Sequence, residues 1–132
     1  MADITISSQV EAMLLLAKND PNKRKLFYQA FLESFVYVAG TLEEEEGARQ
    51  GTMTLKYFQG DGRWILPIFT KLEYLAQAIV EDMPVISVRV KELFEQVDPE
   101  ATVVLNVGTE LDKTFSPEEV QDLVSGEIFK KY

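Results

Sequence analysis

The sequence predicts an α/β fold of the α+β type, with one mixed sheet of about five to six strands and helices packed on it. Apolar residues recur at helical spacing in several segments, and short runs rich in β-branched and aromatic residues lie between them. These helices and strands alternate through the second half of the chain. Residues 1–132 show no repeat or linker, so we expect a single domain.

Two helices are predicted at the N-terminus. The first has a capping box at Ser8 and Glu11, and its apolar face consists of Val10, Met13, Leu14 and Ala17. The second begins with Asp20 as N-cap and Pro21 in its first turn, where a missing N–H costs nothing. Its inner face consists of Phe27, Ala30, Phe31 and Ser34.

A strand and a β-hairpin are predicted next. The strand covers Phe35 to Ala39 and is closed by Gly40. The hairpin joins Met53–Gln59 to Arg63–Phe69 through Gly60-Asp61-Gly62. With these three residues as the loop, Phe58 pairs with Trp64 and Tyr57 with Ile65. Pro67 has no N–H to donate, so it indicates a sheet edge or a bulge.

The second half alternates between helices and strands. The predicted elements are a helix on Leu72, Leu75, Ala76 and Ile79, a strand at Pro84–Val88, a helix on Val90, Leu93, Phe94 and Val97, a strand at Thr102–Val107, and a C-terminal helix on Val120, Leu123, Val124 and Ile128. Thr70 with Glu73, and Ser116 with Glu119, are predicted capping boxes for the first and last of these helices.

Composition removes several classes of chemistry. The chain has no cysteine and no histidine, which excludes disulfides, thiolate nucleophiles, zinc–thiolate sites and imidazole acid/base catalysis. Any enzyme would depend on carboxylates, lysines or tyrosines. We therefore predict no catalytic residue, no metal site and no cofactor. The four carboxylates Glu43 to Glu46 are consecutive, so we interpret them as a solvated loop rather than a calcium site.

The net charge and the hydropathy limit the kinds of partner that this chain can bind. The formal net charge is −9, which disfavours nucleic acid and anionic membranes. The longest apolar runs, such as Phe35 to Ala39, are far shorter than the roughly 20 residues of a membrane span. The sequence opens with Met-Ala-Asp and has no early basic segment, so we expect a cytoplasmic protein.

Two candidate binding regions emerge. In the predicted hairpin, Phe58 and Trp64 share a partly polar face and, with the adjacent Arg63, would bind a protein partner; the alternative is that a helix covers the two rings. Asn106 follows a strand end, where α/β sheets often bind ligands. It predicts a small-ligand pocket near residues 106–109, and the alternative is an ordinary turn.

Three short motifs give a family resemblance. They are Leu66-Pro-Ile-Phe-Thr70, Leu105-Asn-Val-Gly108 and Ser116-Pro-Glu-Glu-Val-Gln-Asp-Leu123. Their order and context resemble the N-terminal domain of the SseB family, named for enhanced serine sensitivity, over roughly residues 22–128. The family pattern usually has Pro where this chain has Val107. Longer members resemble this chain only in their first half, so we expect a standalone, single-domain member.

The resemblance implies an α/β domain without an established catalytic site, and it supplies no functional residues. With the missing side chains, it favours a non-catalytic protein-interaction or adaptor module whose partner is unidentified. The alternative is a small-ligand sensor or a carboxylate-dependent enzyme with its pocket near residues 106–109. Self-association is also expected if Phe35 to Ala39 forms an exposed edge strand.

Overall fold

The computed structural model describes residues 12–14, 17–18, 20–43 and 52–131. Residues 12–14 and 17–18 are helical, and a 3₁₀ turn occupies Pro21–Lys23. The remaining elements are α1 (Arg24–Glu33), β1 (Phe35–Glu43), β2 (Thr52–Leu55), β3 (Phe58–Gly60), β4 (Arg63–Phe69), α2 (Leu72–Ala78), β5 (Val85–Arg89), α3 (Val90–Gln96), β6 (Thr102–Leu105), β7 (Lys113–Phe115), α4 (Pro117–Ser125) and α5 (Ile128–Lys131).

The strands form one mixed sheet, which confirms the predicted fold class. Its order is β2-β1-β4-β6-β7, with β5 paired to β1 and β3 paired to β4. β4 and β6 are parallel, and the other pairs are antiparallel. The described residues form seven strands rather than five or six, because the first hairpin strand is divided into β2 and β3 and because β7 was not predicted.

The main core lies on one face of this sheet. Side chains alternate along a strand, and the buried residues Val36, Val38, Leu66 and Ile68 point to the face that the helices cover. Phe31 of α1 stacks on Phe115 of β7, with ring centroids 5.3 Å apart, and meets the edge of Phe94 in α3 at 5.8 Å. These rings fix two helices against the end of the sheet.

The opposite face is covered only in part. The helix α2 contacts β1 and β4, and its buried residue Leu75 lies outside the main core cluster, as does Phe69. Phe35 and Tyr37 alternate with the core residues of β1, so they point to this second face. We call this second face the open face and define it by Phe35, Tyr37, Ile65, Val104 and Arg89.

The predicted helix starts are confirmed only in part. Ser116 caps α4 as predicted, with Oγ accepting from Glu119 N–H at 3.1 Å. Asp20 accepts from Asn22 N–H at 3.0 Å and begins the 3₁₀ turn, but the N-cap of α1 is Lys23, without a side-chain cap. The predicted box at Thr70 is wrong, because α2 has Lys71 as its N-cap and no side-chain cap. The hydroxyl of Thr70 contacts Asn106 instead. The box predicted at Ser8 and Glu11 lies outside the described residues.

The predicted hairpin register is wrong by one residue. Asp61 and Gly62 alone form the turn, with φ angles of 52° and 74°, and Gly60 pairs with Arg63. Phe58 therefore lies opposite Ile65, and Trp64 lies opposite Gln59. A two-residue turn with positive φ at both positions matches the natural twist of a hairpin, which explains why it replaces the three-residue loop.

The strand at Phe35 is interior rather than an edge. It pairs with β5 from Phe35 to Ala39 and with β4 at Tyr37 and Val38. Gly40 does not close it, since β1 continues to Glu43 beside β2. A Cβ atom at Gly40 would lie 2.4 Å from the backbone oxygen of Thr54, so glycine permits this close approach. The exposed edge predicted for this strand is absent.

Pro67 lies inside the sheet, at the point where the strand paired with one edge of β4 changes from β3 to β1. The pairs of β4 with β3 end at Ile65, and those with β1 begin at Ile68. Asn106 N–H donates to Ile68 O at 2.8 Å, so the backbone of Ile68 faces β6. By alternation the nitrogen of Pro67 faces the gap between β3 and β1, where no donor is needed.

Candidate functional site

The predicted hairpin site is not one surface. Because Phe58 pairs with Ile65, it points to the face opposite Trp64. Phe58 is half-buried, with Lys56 Nζ 6.0 Å from its ring centroid, whereas Trp64 is 49% exposed. Arg63 is exposed and shares the face of Phe58. The structure therefore does not bring the two rings together, although a binding role for each remains a prediction.

Asn106 is buried, and both polar atoms of its side chain make hydrogen bonds. Its Oδ1 accepts from Thr70 N–H at 2.9 Å, and its Nδ2 lies 3.1 Å from Thr70 Oγ1 and 3.4 Å from Leu111 O. Its carbonyl accepts from the hydroxyl of Thr109 at 2.8 Å. The residue has a positive φ of 53°, a conformation that asparagine tolerates well. These contacts favour a structural turn over a ligand contact.

The open face carries a large exposed ring. Phe35 is 58% exposed, and the guanidinium carbon of Arg89 lies 5.6 Å from its ring centroid. Arg89 is directly across the ladder from Phe35. Its Nε is buried without a hydrogen-bond partner, and no described carboxylate pairs with it. An arginine stacked on a ring and lacking an anionic partner is suited to an incoming carboxylate.

The charge of the open face differs from that of the whole chain. On β4, β5, β6 and β7, the residues that point to this face include Arg63 and Arg89 and no acidic residue. The chain as a whole carries a net charge of −9. These four strands therefore present a basic and apolar surface, while the helix α2 that covers part of the open face carries the exposed acid Glu73.

A second candidate lies on the helical side of the sheet. A cavity of about 520 Å³ opens between α1, α4 and the described N-terminal residues Leu14, Ala17 and Lys18. We call it the α1–α4 cleft. Its floor is apolar and buried, at Leu14, Phe27 and Ile128. Its volume falls in the range of small-molecule sites.

A hydrogen-bonded network crosses the wall of this cleft. Tyr28 donates its hydroxyl proton to Glu119 Oε2 at 2.5 Å, and Lys113 Nζ lies 3.0 Å from the same oxygen. Lys113 Nζ also lies 4.6 Å from the centroid of Phe115. At the rim Lys18 pairs with Asp112 at 2.9 Å. These pairs join α1, β7 and α4, so the network stabilises the fold and also presents charges of both signs to the cavity.

The chemical scope of the described residues is narrow. They hold no cluster of three carboxylates placed to bind a metal ion. Among the helices in the described ranges, none combines the length and the apolarity that crossing a bilayer requires. What the described sites offer is binding through aromatic rings, hydrogen bonds and paired charges.

Sequence reasoning missed the residues that the structure makes most prominent. Every residue from Phe35 to Ala39 is apolar, so periodicity does not show which of them face the core. Glu119 was identified only as part of a capping box, yet its carboxylate bonds to Tyr28 and Lys113 rather than to the N-cap. Arg89 carried no signal, since an arginine at a strand end is ordinary.

Comparison with known proteins places the chain in a family. The family model of the SseB protein N-terminal domain matches residues 10–122. Protein SseB of Escherichia coli (strain K12) is 32% identical over 122 residues, covering 91% of this chain and 47% of that protein. Protein SseB of Shigella flexneri gives the same figures, and no solved structure matches. The chain thus spans about half the length of these curated relatives. From the family model and from this identity, we conclude that the chain belongs to the SseB family through its N-terminal domain.

Proposed function

We propose that this chain is a non-catalytic protein-interaction module that binds an acidic, apolar segment of a partner protein on its open face. The observation that carries the proposal is the pair formed by Phe35 and Arg89, an exposed ring beside an arginine that pairs with no carboxylate among the described residues. Aromatic residues and arginine are enriched where protein interfaces gain most of their binding energy.

Charge complementarity supports an acidic partner segment. A carboxylate placed at Arg89 would satisfy a cation that no described residue neutralises, in a setting shielded by the ring of Phe35. Apolar side chains of the same segment would lie over Tyr37, which is half-buried and two residues along β1 from Phe35. A uniformly basic segment would be repelled at Arg89.

Quantitative affinity capture from the native lysate tests the proposal with three variant baits. Phe35→Ser and Arg89→Ala change the open face, and Leu26→Ser is the matched control because it removes an exposed apolar side chain from α1, on the other side of the sheet. We expect both open-face variants to lose the same proteins that the wild type and the control retain. Equal recovery by all four baits, with unfolding curves unchanged, would refute a role for this face.

Ligand binding in the α1–α4 cleft is a second candidate function, supported by the cavity and by the Tyr28–Glu119–Lys113 network. It replaces the pocket expected near residues 106–109, because the side chain of Asn106 is already engaged. A thermal-shift screen of metabolites tests it, since a ligand of the native state raises the melting temperature. A hit must lose its effect in Lys113→Met; a screen without hits removes the candidate.

A further inference from the structure

Among the described residues, the strand β5 has a partner strand on one edge and none on the other. Its inner edge pairs with β1. Two hydrogen bonds at the ends of this pairing, from Val90 N–H to Ser34 O and from Gly40 N–H to Pro84 O, each at 2.9 Å, show which residues of β5 direct their backbone groups toward β1. Backbone groups alternate between the two edges of a strand, so Ile86 and Val88 face β1. The residues whose N–H groups face outward are Val85, Ser87 and Arg89.

No described strand occupies the outer edge of β5. Natural proteins usually protect such edges with very short strands, prolines or charges. By contrast, β5 has five residues, and the four from Val85 to Val88 include neither a charge nor a proline. The other strands with a single described partner strand are shorter, with three residues in β3 and β7 and four in β2. The outer edge of β5 is therefore ready to pair with another strand.

The charges beside β5 favour a second copy of the same strand. The exposed acids Glu81 and Asp82 precede it, whereas its other end carries the two bases Arg89 and Lys91 and one exposed acid, Glu92. Within the described part of the chain, no ion pair includes any of these five side chains. Antiparallel pairing of two β5 strands sets the acidic end of one beside the basic end of the other, whereas parallel pairing sets like charges together.

We infer that this chain forms a homodimer in which the β5 strands of two copies pair antiparallel about Ser87 and join the two sheets. Ser87 N–H of each copy donates to the Ser87 carbonyl of the other. Arg89 N–H of each copy donates to the Val85 carbonyl of the other. The arrangement is a closed, two-fold contact, so association stops at the dimer. It does not depend on the proposed partner, because the side chains of Phe35 and Arg89 stay on the open face.

Ser87→Pro is the most direct test. Proline removes the outward N–H of residue 87, and it is tolerated at an edge because that N–H does not serve the ladder with β1. In sedimentation across a dilution series, we expect the wild type and the control Ser87→Ala to approach twice the chain mass of 15.0 kDa. For Ser87→Pro we expect the dissociation constant to rise at least roughly tenfold.

A charge reversal tests the pairing if Ser87→Pro does not fold. Lys91→Glu should weaken the dimer, and combining it with Asp82→Lys should restore it, because the acidic and basic ends then exchange places. In hydrogen exchange, Val85, Ser87 and Arg89 amides should slow with rising protein concentration, while Ile86 and Val88 stay protected throughout. A monomer at every concentration, a Ser87→Pro dimer of unchanged affinity, or no rescue by the double variant would overturn the inference.

Discussion

At the scale of single residues, Asn106 shows how a strand-end polar side chain becomes structural. Its amide joins the end of β4, at Thr70, to the loop that follows β6. A second contact reaches Leu111 O at 3.4 Å. Because the side chain is completely buried, losing it would leave the Thr70 N–H without its acceptor. Hydrogen bonding thus explains the place of Asn106 in the segment Leu105-Asn-Val-Gly108.

Asn106→Gly isolates the side chain, because glycine adopts the positive φ of this position freely. We expect it to lower the free energy of unfolding by about 1–3 kcal/mol, the cost of leaving a buried donor unsatisfied. Asn106→Ala should cost about 1–2 kcal/mol more, because alanine is strained at positive φ. Urea unfolding measures both. Thr70→Val is the milder control, and a glycine variant as stable as the wild type would contradict the structural role.

Tyr57 makes the folding stability of the chain depend on pH in the alkaline range. Burial raises the pKa of its phenol, with a further rise from the Asp98 carboxylate and an opposing effect from the Asp98 N–H that bonds to the hydroxyl at 2.9 Å. The unfolded chain therefore ionises first, at a pH of about 10. The stabilisation is fully present below that pH and is lost as the pH rises to the pKa of the folded state.

Urea unfolding of the wild type and Tyr57→Phe across alkaline pH tests this linkage. We expect the wild type to lose more stability than the variant as the pH rises through and above about 10. Absorbance titration of the native protein should show one fewer late-ionising phenol in the variant. Parallel pH profiles for the two proteins would show that the phenol is not shielded.

At the scale of elements, the contact between β1 and β2 depends on one glycine. Gly40→Ala places its Cβ 2.4 Å from the Thr54 backbone oxygen, so one strand must move. We expect a loss of about 3 kcal/mol or more. Gly62→Ala is the matched control, because it has a positive φ of 74° and open space around the added methyl, and it should cost only about 1–2 kcal/mol. Thermal or urea unfolding separates the two, and equal losses would contradict this contact.

The sequence predicts an element well when the contacts that determine it join residues that are close together in the chain. The start of α4 was predicted because Ser116 and its target are three residues apart. The cap at Thr70 was not, because Asn106, 36 residues away, contacts that hydroxyl. The hairpin was located correctly, but its register depends on whether Gly60 belongs to the turn or to the strand. That single-residue difference separates Phe58 from Trp64 and removes the predicted shared surface.

At the scale of the whole molecule, the two faces of the sheet contribute unequally to stability. The helices α1, α3 and α4 cover the core face, where the aromatic stack and the Tyr28–Glu119–Lys113 network join them to the strands. On the open face, α2 covers Phe69 and leaves Phe35 exposed. The sequence predicted helices on one sheet but not which face they leave uncovered, because that depends on long-range packing. Among the described residues, most of the core therefore lies on one side of the sheet, and the other side is covered only in part, by α2.

Substitutions at two neighbouring residues of β1, one on the core face and one on the open face, test whether the two faces contribute unequally to stability. Val36 is completely buried on the core face, so Val36→Ala should lower the free energy of unfolding by about 2 kcal/mol or more through lost burial and a cavity. Phe35→Ser removes a larger side chain from the open face, yet it should cost about 1 kcal/mol or less, chiefly the loss of stacking with Arg89. Urea unfolding at one dilute protein concentration compares them while limiting the contribution of dimerisation. If Phe35→Ser destabilised the chain as much as Val36→Ala, the open face would be part of the core, and its role in binding would have to be abandoned.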